Sequence, residues 1–316
     1  MLASRRAFLT GRPLPNADVQ ALLRLTQSMP GARFDSGARF DSGDGAGAPV
    51  AWVSPADASQ VRMLFQWCTQ FKLQLVPAGV CLGLDDALEH ASAGSTDLLS
   101  LVDPATPAIC VDVRPHLADL TSVENGGLWR AGPGCTIGDL PAAIADELLS
   151  HPHAHPGQTL GAWFARSGRS RLLQSVDVML SDGSRERFGP MGAGGVPSVR
   201  SPLAKRLVSG LFQMLCEPLA QSWCASDVWR ARYRLNALRV DHRRVPDMAR
   251  VLAGSRGRLA WVEQFTFHAV LPRETDVAEM QPGCDGRAAA LEHRIKALFD
   301  PSSVFPHLPA RASATT

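Results

Sequence analysis

Neither sign of charge dominates this chain: 32 Lys and Arg stand against 30 Asp and Glu, a formal net charge of +2. Without a global field, nucleic acid and anionic membrane are not expected partners, and a small molecule or a protein is. The seven cysteines (Cys68, Cys81, Cys110, Cys135, Cys216, Cys224 and Cys284) are odd in number and include no C-x-x-C pair. That usage excludes a disulfide framework, a zinc ribbon and an iron–sulfur cluster held by this chain alone. It fits a reducing compartment; the cytoplasm is the expected location because the apolar stretch of an export signal is missing after Arg5-Arg6. Missing too is any run of the ~20 apolar residues that a membrane helix requires. Ser4-Arg5-Arg6-Ala7-Phe8-Leu9-Thr10 carries the arginine pair of a twin-arginine export signal, but the apolar stretch that should follow is replaced by a polar segment broken by Pro13 and Pro15. A short basic arm is the expectation there.

What is present suits a water-soluble globular chain. At 316 residues with 45% hydrophobic and 20% charged content, two globular units are expected rather than one. Residues 18–28 read as a modest amphipathic helix, and after them Ala32-Arg-Phe-Asp-Ser-Gly37 is repeated without change as Ala38-Arg-Phe-Asp-Ser-Gly43. With Gly45 and Gly47 beyond, this reads as a flexible surface insertion. Val50-Ala-Trp-Val53 is a strand, Ser54 caps a helix with Pro55 at its first position, and Val61, Leu64, Phe65 and Cys68 share one helical face. A strand at 73–76 then ends on Pro77-Ala78-Gly79. Further strands are expected at 108–113 and 175–180, with Asp182-Gly183 turning a hairpin into 184–188. Ser201 caps a helix that starts at Pro202 and carries Leu203, Leu207, Leu211 and Leu215. Beyond it, strands near 235–240 and 258–271, a helix between them at 245–253 and a last helix at 286–299 make a small α+β unit.

The most informative stretch is Leu128-Trp-Arg-Ala-Gly-Pro-Gly-Cys-Thr-Ile-Gly-Asp-Leu140, a short strand running through a glycine-crowded turn toward a helix. Gly132 and Gly134 flank Pro133, permitting positive φ and close backbone approach, and Thr136 with Asp139 has the spacing of a capping box. Such a turn either offers backbone N–H groups to an anionic or carbonyl-rich ligand or simply connects strand to helix, and these residues alone leave both open.

The order of the segments resembles the FAD-binding family of the para-cresol methylhydroxylase and vanillyl-alcohol oxidase (PCMH) type, and within it the small FAD-binding subunits of glycolate oxidase. The family's Pro-Arg-Gly-Gly-Gly-Thr loop aligns with Pro77-Ala78-Gly79-Val80-Cys81-Leu82-Gly83, its "V-x-D-x-S-x-L" strand with Val111 to Leu117, and its "V-x-A-G-x-x-x-G-D-L" block with Trp129 to Leu140. A "P-G-x-T-I-G-G" block appears as Pro156-Gly157-Gln158-Thr159-Leu160-Gly161-Ala162, and a strand-hairpin block as Ser175 to Gly183. The family's closing "R-x-K-x-x-F-D-P" resembles Arg294-Ile-Lys296-Ala-Leu-Phe299-Asp300-Pro301.

The resemblance implies an α+β fold: a two-subdomain PCMH-type FAD-binding fold with a small C-terminal α+β cap. It divides the chain into an arm, helix and flexible repeat (1–48), an FAD-binding PCMH-type domain (49–190), and the remainder of that domain with the cap (191–316). FAD is the implied cofactor, and the residues it would touch are Pro77, Gly79, Gly83, Gly132, Gly134, Thr136, Gly157, Gln158, Thr159, Leu160, Gly161, Gly168, Asp177 and Val178. A pyrophosphate cradle needs converging N–H donors, and side chains at those positions block approach. Here Val80 and Cys81 replace two of the family's glycines and Ala78 its arginine, so the cradle is reshaped or abandoned. Arg166, Arg169 and Arg171 either replace lost phosphate contacts by side-chain charge or form a solvated basic loop.

Two functions follow. In one, this is an FAD-linked oxidoreductase subunit acting on a small 2-hydroxy acid, with electrons passed to a second flavoprotein or iron–sulfur subunit. In the other it is a non-catalytic assembly subunit that keeps the fold and has lost FAD. No catalytic residue stands out. His151, His153 and His155 alternate as metal ligands can, but interleaved proline and the lack of nearby carboxylates favour a polar loop and no metal. Hairpin chemistry accounts for Asp182-Gly183, and core packing accounts for the tryptophans.

Overall fold

The computed structural model describes residues 20, 24–25, 27–29, 32–35, 50–77, 106–123, 126–152, 154–192, 199–225, 229–240, 245–270 and 286–306. Strand β1 (Arg33–Asp35), β2 (Val50–Val53), β3 (Gln74–Pro77) and β4 (Ala108–Val111) form one sheet in the order β1-β2-β4-β3. β2 and β3 both run parallel to β4, while β1 is antiparallel to β2. β1 lies inside the first copy of the repeat expected to be a flexible insertion, so this copy is a sheet edge; the second copy is outside the described residues.

Helix α1 (Ala58–Phe71) crosses from β2 to β3, as a parallel pair requires. Its N-cap is Asp57, whose carboxylate accepts from the amides of Ser59 at 2.7 Å and Gln60 at 3.0 Å, and not the expected Ser54. An ionised carboxylate at the positive end of the helix is the better cap. The expected face of Val61, Leu64, Phe65 and Cys68 is buried against Ala51, Val53, Leu75, Ile109 and Val111 on one side of the sheet.

The second sheet is built from β5 (Leu120–Val123), β6 (Leu128–Ala131), β7 (Leu173–Met179), β8 (Arg185–Phe188) and β9 (Trp261–His268), in the order β5-β6-β9-β7-β8. Every pairing is antiparallel. β7 and β8 form the expected hairpin, with Gly183 at φ +78° and Asp182 Oδ1 accepting from the Ser184 amide at 2.9 Å. β9 is inserted between β6 and β7, so a strand from the last quarter of the chain completes a sheet begun at Leu120. Met179 and Trp261 belong to the core of the first sheet and join the two units.

Covering the second sheet are α2 (Ala142–Leu149), α3 (Leu160–Arg166), α4 (Pro202–Leu215), α5 (Pro218–Ala225), α6 (Met248–Leu252) and α7 (Gly286–Phe299). Their buried faces meet one core that runs from Ala131 to Phe299, in which Trp163 and Phe164 contact Phe265 edge-on. α4 is capped by Ser201 with Pro202 at its start, as the sequence predicts. The strand expected near 235–240 is a 3-10 turn (Leu235–Leu238) that buries both terminal leucines; at a spacing of three they share one side of such a turn. The fold is α+β, with a sheet and a core in each of two units. Among the described residues no helix is long and apolar enough to cross a membrane.

Candidate functional site

The glycine turn after β6 is packed against backbone. The amide of Gly132 donates to Asp119 O and that of Gly134 to Leu117 O, each at 2.8 Å. A Cβ on Gly132 would lie 2.3 Å from Leu117 O, and one on Gly134 the same distance from Val113 O. Neither glycine is among the residues with positive φ. Close approach to the 113–119 segment, and not a left-handed conformation, is therefore what demands glycine at 132 and 134. The amides expected to face a ligand instead hold this segment, which leads from the first sheet to the second. Asp112, at its start, is held below the usual carboxylate range: burial opposes its charge, but Arg114 binds it through Nε at 3.0 Å and Nη2 at 2.9 Å and prevails.

Past the turn, the Asp139 carboxylate accepts from both the amide (3.0 Å) and the hydroxyl (2.7 Å) of Thr136. The helix expected to follow is only a 3-10 turn, Ile137–Asp139, stopped by Pro141 before α2 begins. Cys135 is enclosed beneath the turn with Sγ 3.0 Å from Ala118 O, and burial pushes its thiol up to about 11. A neutral thiol of this kind is a packing group and not a nucleophile.

The turn and the Pro156-Gly157 block, separate in sequence, are locked together. Thr136 and Thr159 form an antiparallel bridge, Ile137 N donates to Gln158 O at 2.9 Å and Leu160 N to Cys135 O at 2.8 Å. Gly138 N reaches Pro156 O at 2.8 Å and Gly161 N reaches Pro133 O at 2.9 Å. Thr159 caps α3 by accepting from Ala162 N at 3.3 Å. Gly157 is exposed, whereas the Gln158 side chain is buried with Oε1 lacking a hydrogen-bond partner.

The other predicted cofactor residues sit elsewhere on the frame. Gly168 follows α3 with φ +57°, wedged so that a Cβ would stand 2.6 Å from Ala253 Cβ. Asp177 lies on β7 and pairs with Arg187 on β8 at 2.6 Å, and Val178 is buried in the same strand opposite Val262. Pro77 is the buried end of β3. Gly79 and Gly83 lie outside the described residues, as do Ala78, Val80 and Cys81. Of the histidines, His153 is outside them as well, and no group of His, Cys, Asp or Glu among the described residues could hold a metal ion. Separate from both blocks, a groove of 510 Å³ between α1 and the β7–β8 hairpin is lined by Arg62, Gln66, Gln70, Ser181, Asp182 and Ser302.

The amides of Gly132, Gly134, Gln158, Leu160 and Gly161 are all bonded within the protein, so they do not fit the demands of a pyrophosphate cradle. What they fit is a rigid wall. The carbonyl-bearing segment 113–119 that fixes this wall was hidden from sequence reading, because nothing local in those residues marks them as acceptors.

No protein-family model and no curated protein matches this chain. Among solved structures it superposes on an alkyldihydroxyacetonephosphate synthase at a TM-score of 0.39, with 11% identity over 71% of this chain and 33% of that one. For wild-type BBE-like 1 of Physcomitrella patens the TM-score is 0.40, with 14% identity over 78% and 44%. For the cholesterol oxidase of B. sterolicum it is 0.33, with 14% identity over 71% and 34%. This chain thus corresponds to between a third and a half of the length of those proteins.

Proposed function

We propose that this chain is an FAD-binding subunit of the PCMH type, serving an oxidoreductase that oxidises a small 2-hydroxy acid in the cytoplasm and passes electrons to a second flavoprotein or iron–sulfur subunit. Residues 49–190 would supply most of the cofactor site, and 191–316 would complete that domain and its cap. The observation that carries this reading is the interlock of the two blocks the resemblance picks out: Thr136 bridges Thr159, and Gly161 N bonds Pro133 O at 2.9 Å. Bound flavin supplies the hydride acceptor, and the protein supplies binding and orientation. The interlocked blocks fit the wall of that site, with Gln158 contributing a buried carbonyl that lacks a donor. The pyrophosphate contacts are assigned to 77–83 by resemblance alone.

One specific observation favours a second reading, that of a fold-retaining assembly subunit without cofactor: the amides of both turn glycines are already bonded to backbone. Denaturing the purified chain and measuring released flavin separates the two. About one FAD per chain is the expected result. A colourless chain that takes up no added FAD overturns the proposal in favour of the assembly subunit.

A further inference from the structure

Two arginines of this structure take a carboxylate on the same edge of the guanidinium. Arg114 reaches Asp112 through Nε at 3.0 Å and Nη2 at 2.9 Å, and Arg187 reaches Asp177 through Nε at 2.6 Å and Nη2 at 3.0 Å. Arg130, on β6, has no such partner. Its Nε is buried without an acceptor, and its side chain makes no hydrogen bond or ion pair among the described residues. An N–H sealed from water and left unbonded is costly, and the fork that carries it is shaped for a carboxylate.

The neighbours of Arg130 are set by strand register. It stands opposite Thr121 on β5 and Thr266 on β9, and Thr266 stands opposite Ser175 on β7, where a register shift puts Ser175 in that place and not Gln174. Directly opposed residues of antiparallel strands point to one face with Cβ atoms about 4.5–5.5 Å apart. A single guanidinium is thus flanked by hydroxyls in a row across four strands. Ala131, Val176, Phe265 and Phe267 alternate with this row and face the helices, so the row lies on the other face of the sheet. Farther along β7 on that face, Met179 belongs to the core of the first unit, so the face is turned toward that unit. Thr266 and Ser175 are buried, and Asp177, two residues along from Ser175, is already committed to Arg187.

We propose that Arg130 binds the carboxylate of a small hydroxy acid and that Thr266, beside it in the row, takes the ligand's own hydroxyl. The Nε edge of the guanidinium supplies forked donors, and a threonine hydroxyl, able to donate and to accept, separates a hydroxy acid from a plain carboxylate. The hydroxyl part rests on the proposed role in 2-hydroxy-acid oxidation, whereas the carboxylate contact stands on the register and the unbonded Nε of Arg130. Neither residue is among those assigned to the cofactor.

Calorimetric titration of the full-length protein with glycolate and, separately, with acetate tests the site, with chloride at matched ionic strength as the reference and any bound flavin reduced beforehand so that no turnover intervenes. Glycolate is expected to bind more tightly than acetate. Arg130→Gln should weaken both at least about tenfold, the worth of one charge-assisted hydrogen bond. Arg130→Lys keeps the charge and loses the fork, so it should recover only part of the affinity; it decides the matter should Arg130→Gln fail to fold. Thr266→Val should leave acetate binding unchanged and bring glycolate down to it. Arg206→Gln, at an exposed arginine on α4, should change neither. No binding of either anion, or binding that survives the loss of Arg130, overturns the proposal, and equal binding of the two by the parent protein overturns the role of Thr266. A chain that carries flavin but binds glycolate without regard to Arg130 sinks this site and leaves the proposed function standing. A colourless chain that binds glycolate through Arg130 does the reverse.

Discussion

The amide of Gly134 donates to the carbonyl of Leu117 at 2.8 Å, and a methyl group in place of its hydrogen would stand 2.3 Å from Val113 O. The contact is backbone against backbone, so no side chain can rotate away to relieve it. Gly134→Ala is expected to destabilise the chain by about 2–4 kcal/mol, in the range of overpacking within a closed structure. Urea unfolding of protein stripped of any ligand checks it. An unchanged midpoint would mean that the glycine serves a ligand and not the fold.

Gly168 and Gly183 both have positive φ, at +57° and +78°, yet they differ in surroundings. A Cβ at 168 meets Ala253 Cβ at 2.6 Å and Phe164 Cδ2 at 2.7 Å, whereas at 183 nothing lies within 4 Å. Gly183→Ala should cost only the left-handed strain of about 1–2 kcal/mol. Gly168→Ala should cost clearly more, by about another 1–3 kcal/mol of overpacking. Equal losses in thermal or urea midpoint would refute this distinction.

Lys296 is buried against Asp300, whose Oδ1 and Oδ2 also accept from Val304 N and Phe305 N, each at 2.8 Å. Val304 O in turn accepts from Leu75 N at 2.7 Å, fastening the end of the described chain to β3. Asp300→Ala strands a buried ammonium and should lose about 3–5 kcal/mol. The double variant Lys296→Met/Asp300→Asn leaves no charge behind and should lose less, as measured by chemical denaturation. A double variant as unstable as the single one would show that packing, not charge, governs this corner.

Asp112 titrates below its ordinary value of 3.8 because Arg114 outweighs the effect of burial. A carboxylate with a depressed pKa in the folded chain contributes stability at pH above 3.8 and loses it as pH falls through the lower folded value. The pair is partly exposed, with side-chain accessibilities of 35% and 22%, so about 0.5–1 kcal/mol is expected after screening. Asp112→Asn should therefore trail the parent protein at pH 7 and converge with it at about pH 2. A gap that is the same at both values would exclude the ion pair as its source.

Some local features were legible from residues alone. Ser201 and Pro202 start α4, and the stripe of Val61, Leu64, Phe65 and Cys68 is the buried face of α1. Each depends on neighbours within a turn or two. Misreadings arose where a competing group within reach was stronger or where a turn with a spacing of three buried the apolar side chains instead. Asp57 displaced Ser54 as a cap, and the apolar run beginning at Leu235 coiled into a 3-10 turn.

Residue order determined the two-period patterning of the strands, the caps and turns, and the glycines at 132 and 134, because these follow from steric and hydrogen-bonding rules acting over a few residues. Only the tertiary structure decided what those glycines are for, since the carbonyls of Val113, Leu117 and Asp119 that consume their space and their amides belong to another strand connection.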